Sequence, residues 1–421
     1  MEIAAGIIFL LVLLVLALDW VQRTKAALIG ALVFVLMGAL DLEEAIEAID
    51  WPTLGLLAGM MIIVGITEKT GVFTYLALRI AQLSRGNPFQ LMALLAIVTG
   101  IASAFLDNLT AILLVVPITL VIADQLRIAA IPLVLTEIFA SNIGGTATLI
   151  GDPPNILIGS HVAQLDFLDF IIHLAPVSIL TLGVAIGLLW LMFRKQLVID
   201  ESRVDELAQM DASRDVRGNP YVKRSVGILI GTVIVFFLHS WIGLEPAVVA
   251  LGGGILLLFV AADDVEEALK RIEWSTMFFF MGLFVMVGGL EHQGIVERVA
   301  DLIAEGTGGS RVAEGLAILW GSAAGSALVD NIPFTAAMLP VVDQLNAADT
   351  TFDDANWWAL ALGACFGGNA TIVAAAANVA ATGVLDRVRQ PVTFTAFLKA
   401  GIPVTLVSLA IATGYLLLFQ L

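Results

Sequence analysis

Two aspartate–asparagine pairs, Asp107-Asn108 and Asp330-Asn331, are the residues best suited to chemistry, because each pair interrupts a long apolar stretch. An ionisable side chain in the middle of a membrane segment costs roughly 3 kcal/mol to insert, so it is a functional hypothesis by default. The alternative is structural, since an aspartate at such a point can cap the helix that follows it. The neighbouring asparagine offers the same cap without a charge. We therefore predict that both aspartates bind an ion or a substrate.

A constant offset of 223 residues relates the two pairs, and the same offset relates many other residues of the chain. Trp51 matches Trp274, and Pro117 matches Pro340. Further matches are Gly30 with Gly253, Gly65 with Gly288, Ser103 with Ser326, Gly144-Gly145 with Gly367-Gly368, and Asn155 with Asn378. Chance does not place tryptophans, prolines and Asp-Asn pairs at one offset, so the chain contains an internal duplication.

Each half has a second interruption, a glycine-rich segment at 141–146 and at 364–369. Adjacent glycines permit unwinding at little steric cost, and backbone that is not helical inside a bilayer lines a cavity or is buried in protein. Freed carbonyls and small polar side chains can then coordinate an ion. The predicted substrate- and ion-binding residues are Asp107, Asn108, Thr110, Asn142, Gly144, Gly145, Thr146, Asp330, Asn331, Thr335, Gly367, Gly368, Asn369, Thr371 and Asn378.

Two further acids in apolar surroundings, Glu137 and Asp152, have no acidic counterpart at the offset, where Leu360 and Ala375 stand. Each is a candidate proton site. Asp152 precedes two prolines, which equally suit a rigid turn near a membrane face. Glu137 equally suits a buried neutral acid bonded to a carbonyl. The sequence leaves both alternatives open.

Signatures of catalysis and of nucleotide binding are missing from the sequence. The four histidines lack the spacing of a metal site, no Walker sequence occurs, and Cys365 has no basic partner in its segment. We predict no catalytic residue and no enzyme activity. We also predict no metal beyond a transported or coupling cation, and no cofactor apart from Na⁺ or H⁺ as the coupling ion.

The composition defines the broad class. Of 421 residues, 59% are hydrophobic and only 14% are charged, whereas soluble proteins carry about a quarter charged residues. Apolar stretches of about 16 to 20 residues recur, each near the length that spans a bilayer core. The net charge of −17 repels nucleic acid. The predicted fold is an all-α polytopic membrane protein whose environment is the lipid bilayer.

The offset divides the chain into a first repeat at 1–193, a polar linker at 194–223 and a second repeat at 224–421. Each repeat is predicted to contain five membrane-crossing helices, one of them interrupted, and one re-entrant hairpin. The hairpins are predicted at 88–123 and 311–345, and the interrupted helices at 131–155 and 357–380. The other crossings are predicted at 3–18, 24–40, 53–68 and 172–193, and at 224–241, 246–262, 275–290 and 400–420. An odd number of crossings inverts the second repeat relative to the first.

This topology places 18 of the 20 lysines and arginines on one side, leaving Arg298 and Arg311 on the other. Such a split fits the positive-inside rule. It predicts an integral protein of a prokaryotic plasma membrane, with both termini outside and the linker 194–223 in the cytoplasm.

Four motifs resemble a known family. They are the runs 103–108 and 150–155 in the first half, and 330–335 and 363–369 in the second. Together they are similar to the ArsB/NhaD permeases of the ion transporter superfamily, especially the melanosomal P protein branch, over nearly the whole chain. The resemblance implies two inverted repeats around a midplane site, a homodimer and, for a true ArsB, a separate ATPase subunit.

The activities that the resemblance implies are arsenite and antimonite efflux, sodium/proton antiport, and carboxylate or citrate uptake. Dicarboxylate carriers show Ser-Asn-Thr at the hairpin tips, where this chain has aspartates that repel an anion in a low dielectric. We therefore predict a proton- or sodium-coupled secondary active transporter. Its substrate is a small inorganic ion or a metalloid: it exports arsenite or antimonite, or exchanges sodium for protons, by alternating access. The alternatives are a sodium-coupled carboxylate or citrate carrier, and an ion channel.

Overall fold

The computed structural model describes residues 2–18, 20–199, 203–204, 209–214, 216–261, 264–348 and 354–421. Regular structure in these residues is helical throughout, without a strand. Eight of the described helices are long and apolar enough to cross a membrane, and four shorter helices are apolar as well. The prediction of an all-α polytopic membrane protein is therefore confirmed.

Ten helices belong to the first half of the chain. They are α1 (Glu2–Ala17), α2 (Arg23–Leu36), α3 (Leu42–Glu47), α4 (Trp51–Glu68), α5 (Val72–Leu83), α6 (Pro88–Phe105), α7 (Asn108–Leu126), α8 (Ala130–Gly145), α9 (Pro153–His161) and α10 (Phe167–Phe193).

The second half repeats this series with similar bounds at the offset of 223. Its helices are α11 (Val222–Ile242), α12 (Pro246–Ala261), α13 (Val265–Leu269), α14 (Trp274–His292), α15 (Ile295–Thr307), α16 (Arg311–Val329), α17 (Asn331–Ala348), α18 (Ala355–Gly367), α19 (Ala376–Arg387) and α20 (Phe394–Phe419). A short 3-10 turn, Ile372–Ala374, precedes α19.

Capping residues explain why two helices begin earlier than the apolar pattern predicts. The side chain of Asp166 accepts hydrogen bonds from the backbone N–H groups of Leu168 and Asp169, and Asp169 returns a bond to the cap. Helix α10 therefore starts at Phe167 rather than at 172. Thr393 caps α20 in the same way, through the N–H of Ala396, so that this helix starts at Phe394 rather than at 400.

The helices pack in two groups. The flanking group consists of α1, α2, α4, α11, α12 and α14, in which α4 packs on α12 and α2 packs on α14. Gly282 makes the second of these contacts close, because a Cβ at this position would lie 2.7 Å from the backbone of Ala27. Gly59 meets the backbone of Ala250 in the equivalent way. Small residues at such contacts let membrane helices approach each other closely.

The hairpin group consists of α6–α10 and α16–α20. Helices α6 and α7 form the first hairpin, and α16 and α17 form the second. Helix α8 packs on α6, and α18 packs on α16. Helix α19 lies against α7 while α9 lies against α17, so each half contributes a helix to the hairpin of the other half. This exchange brings both interrupted helices and both hairpin tips to one place.

Candidate substrate and ion site

The tip of the first hairpin is a two-residue break at Leu106 and Asp107. Asp107 caps α7, because its carboxylate accepts a hydrogen bond from the N–H of Thr110 at 3.0 Å and another from the hydroxyl of Thr110. The side chain is half-buried. The structural alternative for Asp107 is thus present in the molecule, and its role in binding stays a prediction.

The tip of the second hairpin is built differently. Asp330 has a φ of +134°, a conformation that L-residues rarely adopt. One carboxylate oxygen accepts a hydrogen bond from the N–H of Ile332 at 3.1 Å, and the other lies 3.0 Å from Nη1 of Arg23. Arg23 belongs to the flanking group and was not among the predicted site residues. At the offset of 223 its counterpart is Pro246, so the duplication gives no signal for the arginine.

Asp152 joins the two hairpin tips. Its Oδ1 accepts hydrogen bonds from Nδ2 of Asn108 at 3.2 Å and from Nδ2 of Asn331 at 3.0 Å. The side chain is fully buried. Its Oδ2 accepts no hydrogen bond from an N–H or O–H group of the described residues, and the thiol of Cys365 is its neighbour. The structure places Asp152 between the asparagines of both Asp-Asn pairs.

Asn142 connects this carboxylate with the second interrupted helix. Its Oδ1 accepts a hydrogen bond from Asn108 at 3.3 Å, while its Nδ2 donates to Oδ1 of Asn369 and of Asn378, each at 3.0 Å. All of these asparagines are buried. The two hairpin tips and the two helix breaks therefore form one continuous polar network, which we call the polar centre.

The breaks in the interrupted helices begin near the ends of the glycine-rich segments, at Thr146 and at Gly368. Helix α8 continues through Gly145, and the non-helical segment 146–152 is held by Asn155, whose Nδ2 donates to the carbonyls of Thr146 and Thr148. In the second half, Nδ2 of Asn378 donates to the carbonyls of Gly368 and Thr371. Unwinding therefore begins later than the sequence predicts, and the matched asparagines hold the freed carbonyls in place.

Most of the predicted glycines serve packing. A Cβ at Gly144 would collide with the backbone of Gly100 on α6, and a Cβ at Gly367 would lie 2.6 Å from the carbonyl oxygen of Ala323 on α16. Gly145 is in equally close contact with the backbone of Gly151. These contacts press α8 against α6, and α18 against α16, directly behind the polar centre.

The predicted threonines bond to nearby residues. The hydroxyls of Thr146 and Thr335 donate to the carbonyls of Asn142 and Asn331, one turn earlier in their helices. The hydroxyl of Thr371 donates to the carbonyl of Ala327, and that of Thr148 to the carbonyl of Ala104. Thr148 was not among the predicted residues, although the offset pairs it with Thr371 and so could have identified it.

Glu137 lies outside the polar centre. Its Oε1 accepts a hydrogen bond from the hydroxyl of Thr119 on α7, and its Oε2 has no hydrogen-bond partner among the described residues. The side chain is fully buried between α7 and α8. The contact is with a hydroxyl rather than with the carbonyl that the structural alternative requires, so both alternatives for Glu137 stay predictions.

The polar centre contains one buried acceptor and one buried donor that are unused within the described part of the chain. The acceptor is Oδ2 of Asp152, and the donor is Nδ2 of Asn369. Buried polar atoms without a partner are rare, because each one destabilises the folded protein by about 1–3 kcal/mol. A ligand that brings a positive charge to Asp152 would remove part of this penalty.

Two clefts at equivalent positions separate the flanking group from the hairpin group. The wide cleft has a volume of about 460 Å³, and Leu56, His239 and Pro246 contribute to its lining. The narrow cleft has a volume of about 20 Å³ and is lined by Leu16, Arg23, Phe279, Val329, Asp330, Pro333, Val373 and Val379. Phe279, Leu16 and Arg23 are the counterparts of Leu56, His239 and Pro246 at the offset of 223. The two clefts thus share these three positions of the flanking group, whereas no residue of the first hairpin lines the wide cleft.

A duplicated bundle of apolar helices around a buried polar centre defines a polytopic membrane transporter, and comparison with known proteins identifies its family. The family model described as citrate transporter (CitMHS) matches residues 11–363, so the chain belongs to this family. The narrower ArsB/NhaD assignment remains a prediction from the motifs.

Similar proteins agree with this class. An uncharacterized transporter of Mycobacterium tuberculosis (strain ATCC 25618 / H37Rv) is 39% identical over 99% of this chain and 98% of its own length. The "46 kDa membrane protein" of Mycobacterium leprae is 38% identical with the same coverage. The P protein of Mus musculus is 35% identical over 94% of this chain, which spans 58% of that relative.

A solved structure shows the same fold. The crystal structure of the Alcanivorax borkumensis YdaH transporter superposes with a TM-score of 0.60 over 95% of this chain and 97% of that chain. The sequences are 13% identical, so this likeness concerns the architecture alone.

Proposed function

We propose that this protein is a cation-coupled secondary active transporter that binds Na⁺ or H⁺ at Asp152 in the polar centre. The observation that carries the proposal is the position of this carboxylate. It is fully buried, it is held by the asparagines of both hairpin tips, and its Oδ2 is left without an N–H or O–H donor among the described residues. A buried carboxylate is stable as an anion only when a positive charge is close to it.

The charge balance of the site favours a cation. Asp107, Asp152 and Asp330 contribute three carboxylates, and Arg23 is the basic residue that pairs with one of them. In a low dielectric the remaining carboxylates attract cations and repel anions strongly. Competition between a proton and Na⁺ for the same carboxylates would give exchange of one ion for the other.

The proposal includes alternating access through the two clefts. If the halves are inverted repeats with re-entrant hairpins, equivalent clefts lie on opposite sides of the membrane, and the hairpin group moves against the flanking group to open one and close the other. The matching helix bounds at the offset of 223 support this arrangement. In the same scheme the protein forms homodimers through its flanking group.

The orientation proposed from the basic residues places both termini outside and the linker 194–223 in the cytoplasm of a prokaryotic cell. Arg23 then lies on the cytoplasmic side, so the narrow cleft faces the cytoplasm and the wide cleft faces outward. In this scheme the wider of the two clefts lies on the outer side.

The substrates that suit this site best are a cation or a neutral metalloid acid. Sodium/proton exchange needs only the carboxylates described above. Export of arsenite or antimonite as the neutral acid needs hydrogen-bond donors and acceptors, which the asparagines supply.

Citrate is a second candidate, and the description of the matching family favours it. An anion of this kind would have to enter together with cations that neutralise the carboxylates. Nδ2 of Asn369, which has no partner in the described residues, could then donate to a substrate carboxylate.

The test is transport by purified protein in proteoliposomes under separately imposed pH and sodium gradients, with sodium, lithium, arsenite, antimonite, citrate and chloride as substrates. The critical variant is Asp152→Asn, which keeps the oxygen that accepts from Asn108 and Asn331 but removes the charge. We expect it to fold and to lose cation-driven flux. The matched control is Asp124→Asn, at an exposed position of α7, and it should transport normally. Unchanged flux in Asp152→Asn would refute the proposed cation site.

A further inference from the structure

The ion pair between Arg23 and Asp330 connects the two groups of helices. Arg23 is the first residue of α2 in the flanking group, and Asp330 lies at the tip of the second hairpin. Nη1 of the arginine lies 3.0 Å from the carboxylate, whose side chain is only 7% exposed, whereas that of Arg23 is 33% exposed. The guanidinium therefore reaches from a partly open position into the edge of the polar centre.

The first hairpin has no equivalent pair. Pro246 stands where the duplication would place the arginine, and Asp107 directs its carboxylate to Thr110 of its own helix. The two Asp-Asn pairs are thus unequal in charge, because Arg23 neutralises Asp330 and the described structure supplies no basic partner for Asp107.

The ion pair between Arg23 and Asp330 also lies at the narrow cleft. Arg23 and Asp330 both line this cleft, and α1 and α14 pack against the helices of the second hairpin beside it. The counterparts α11 and α4 do not pack in this close way against the described residues of the first hairpin. Widening the narrow cleft would therefore separate the guanidinium from the carboxylate.

We propose that Arg23 is a built-in cation that holds the narrow cleft closed by occupying Asp330, and that a monovalent cation entering from that side takes its place. Separation of a largely buried ion pair leaves an uncompensated carboxylate, which is strongly unfavourable unless another cation or a proton neutralises it. Glu273, the residue before α14, interacts electrostatically with Arg23 and offers the displaced guanidinium a second carboxylate. Cleft opening is thereby tied to cation binding. The inference rests on the proposed function only in assuming that the narrow cleft opens.

The test measures the opening directly, without measuring transport. Cys365 is the only cysteine of the sequence, so a Cys365→Ala background can carry one reporter cysteine, Val379→Cys, in the lining of the narrow cleft. The rate of its modification by a water-soluble thiol reagent is measured in nanodiscs, in choline buffer and then with increasing Na⁺ or decreasing pH. The variants are Arg23→Gln, the conservative Arg23→Lys, and Lys25→Gln as a control at an exposed position of the same helix.

We expect Arg23→Gln to raise the modification rate several-fold in choline buffer, while Arg23→Lys and Lys25→Gln stay near the unsubstituted protein. Na⁺ or protons should raise the rate in the unsubstituted protein and have little further effect in Arg23→Gln. Equal rates for Arg23→Gln and Lys25→Gln would overturn the proposal, and so would cation-independent rates in the unsubstituted protein. If the transport test in proteoliposomes refutes the proposed function, the accessibility result is not affected. Failure of the proposed function and failure of the proposal for Arg23 can therefore be distinguished.

Discussion

Asn142 and Cys365 occupy equivalent positions in the two halves, and each reaches the matched asparagine of the other half. Nδ2 of Asn142 donates to Oδ1 of Asn378 at 3.0 Å, and the thiol of Cys365 donates to Oδ1 of Asn155 at 3.7 Å. A thiol is a weak donor, so the second contact is the weaker of the two. The two halves thus place hydrogen-bonding groups at equivalent positions of the polar centre, but the hydrogen bonds differ in strength.

This difference predicts unequal effects of truncation at the two positions. Asn142→Ala leaves Oδ1 of Asn369 and of Asn378 without their donor, which should destabilise the protein by about 1–3 kcal/mol for each group left unsatisfied. Cys365→Ala removes a thiol whose contacts, with Asn155 and beside Asp152, are weak, and it should shift stability by less than about 1 kcal/mol. Thermal unfolding in detergent, followed by tryptophan fluorescence, measures both. Equal losses in the two variants would contradict this ranking.

The backbone contact at Gly144 predicts a severe effect of a single methyl group. Gly144→Ala places a Cβ against the backbone of Gly100, which cannot move aside as a side chain can. We expect a loss of about 1–3 kcal/mol, the usual range for overpacking, together with loss of transport. The matched control is Gly183→Ala on α10, where a Cβ meets no atom within 4 Å. There the better helix propensity of alanine should leave stability unchanged or raise it by up to about 1 kcal/mol. Similar melting temperatures for the two variants would argue against the close contact.

Glu137 supplies a test of the structural alternative. Gln at this position keeps an oxygen that accepts the hydrogen bond from Thr119, and it removes the ionisable group. Because Glu137 does not take part in the polar centre, Glu137→Gln should retain transport and its dependence on the pH gradient. The same proteoliposome assay measures this, with Asp152→Asn as the impaired comparison. Loss of proton coupling in Glu137→Gln would instead assign Glu137 to the proton path.

The raised pKa of Glu273 predicts that the stability of the protein depends on pH. This residue lies one position before the span of α14, and burial, followed by the carboxylate of Asp107, raises its pKa from 4.5 to about 7. The folded chain therefore binds the proton more tightly than the unfolded chain does. The resulting stabilisation is fully present below about pH 4.5 and is lost as the pH rises through about 7.

Glu273→Gln imitates the protonated side chain at every pH. Its melting temperature should equal that of the unsubstituted protein below about pH 4 and exceed it near about pH 8.5. Glu297→Gln, at an exposed position of α15, serves as the control and should show no such divergence. A pH-independent difference between Glu273→Gln and the unsubstituted protein would refute this assignment.

The sequence predicts the helices and the duplication well, because both depend on local apolar patterns and on residues repeated at one offset. It also predicts both Asp-Asn pairs and the asparagines around them. It names Asp152 as a candidate proton site but does not reveal its contacts with both hairpin tips, because its two hydrogen bonds come from residues 44 and 179 positions away. The sequence does not reveal the ion pair between Arg23 and Asp330 for the same reason, since 307 positions separate the two residues along the chain.

The position of the helix breaks shows a further limit of pattern analysis. Adjacent glycines suggest unwinding, yet Gly144 remains helical because α6 packs against it at Gly100. In this molecule Gly144 and Gly367 serve contact between helices, and the loss of helix begins at Thr146 and at Gly368. Only the packed structure distinguishes these two uses of one residue type.

Pro246, the counterpart of Arg23, has a thermodynamic consequence. In the proposed cycle, the first hairpin would meet a residue with neither a charge nor a backbone N–H, so no ion pair would replace the one that Arg23 makes. The two arrangements of the empty protein would then differ in free energy although the two halves share one architecture. Under this proposal, bound cations supply the free energy that shifts the population away from the arrangement held by Arg23.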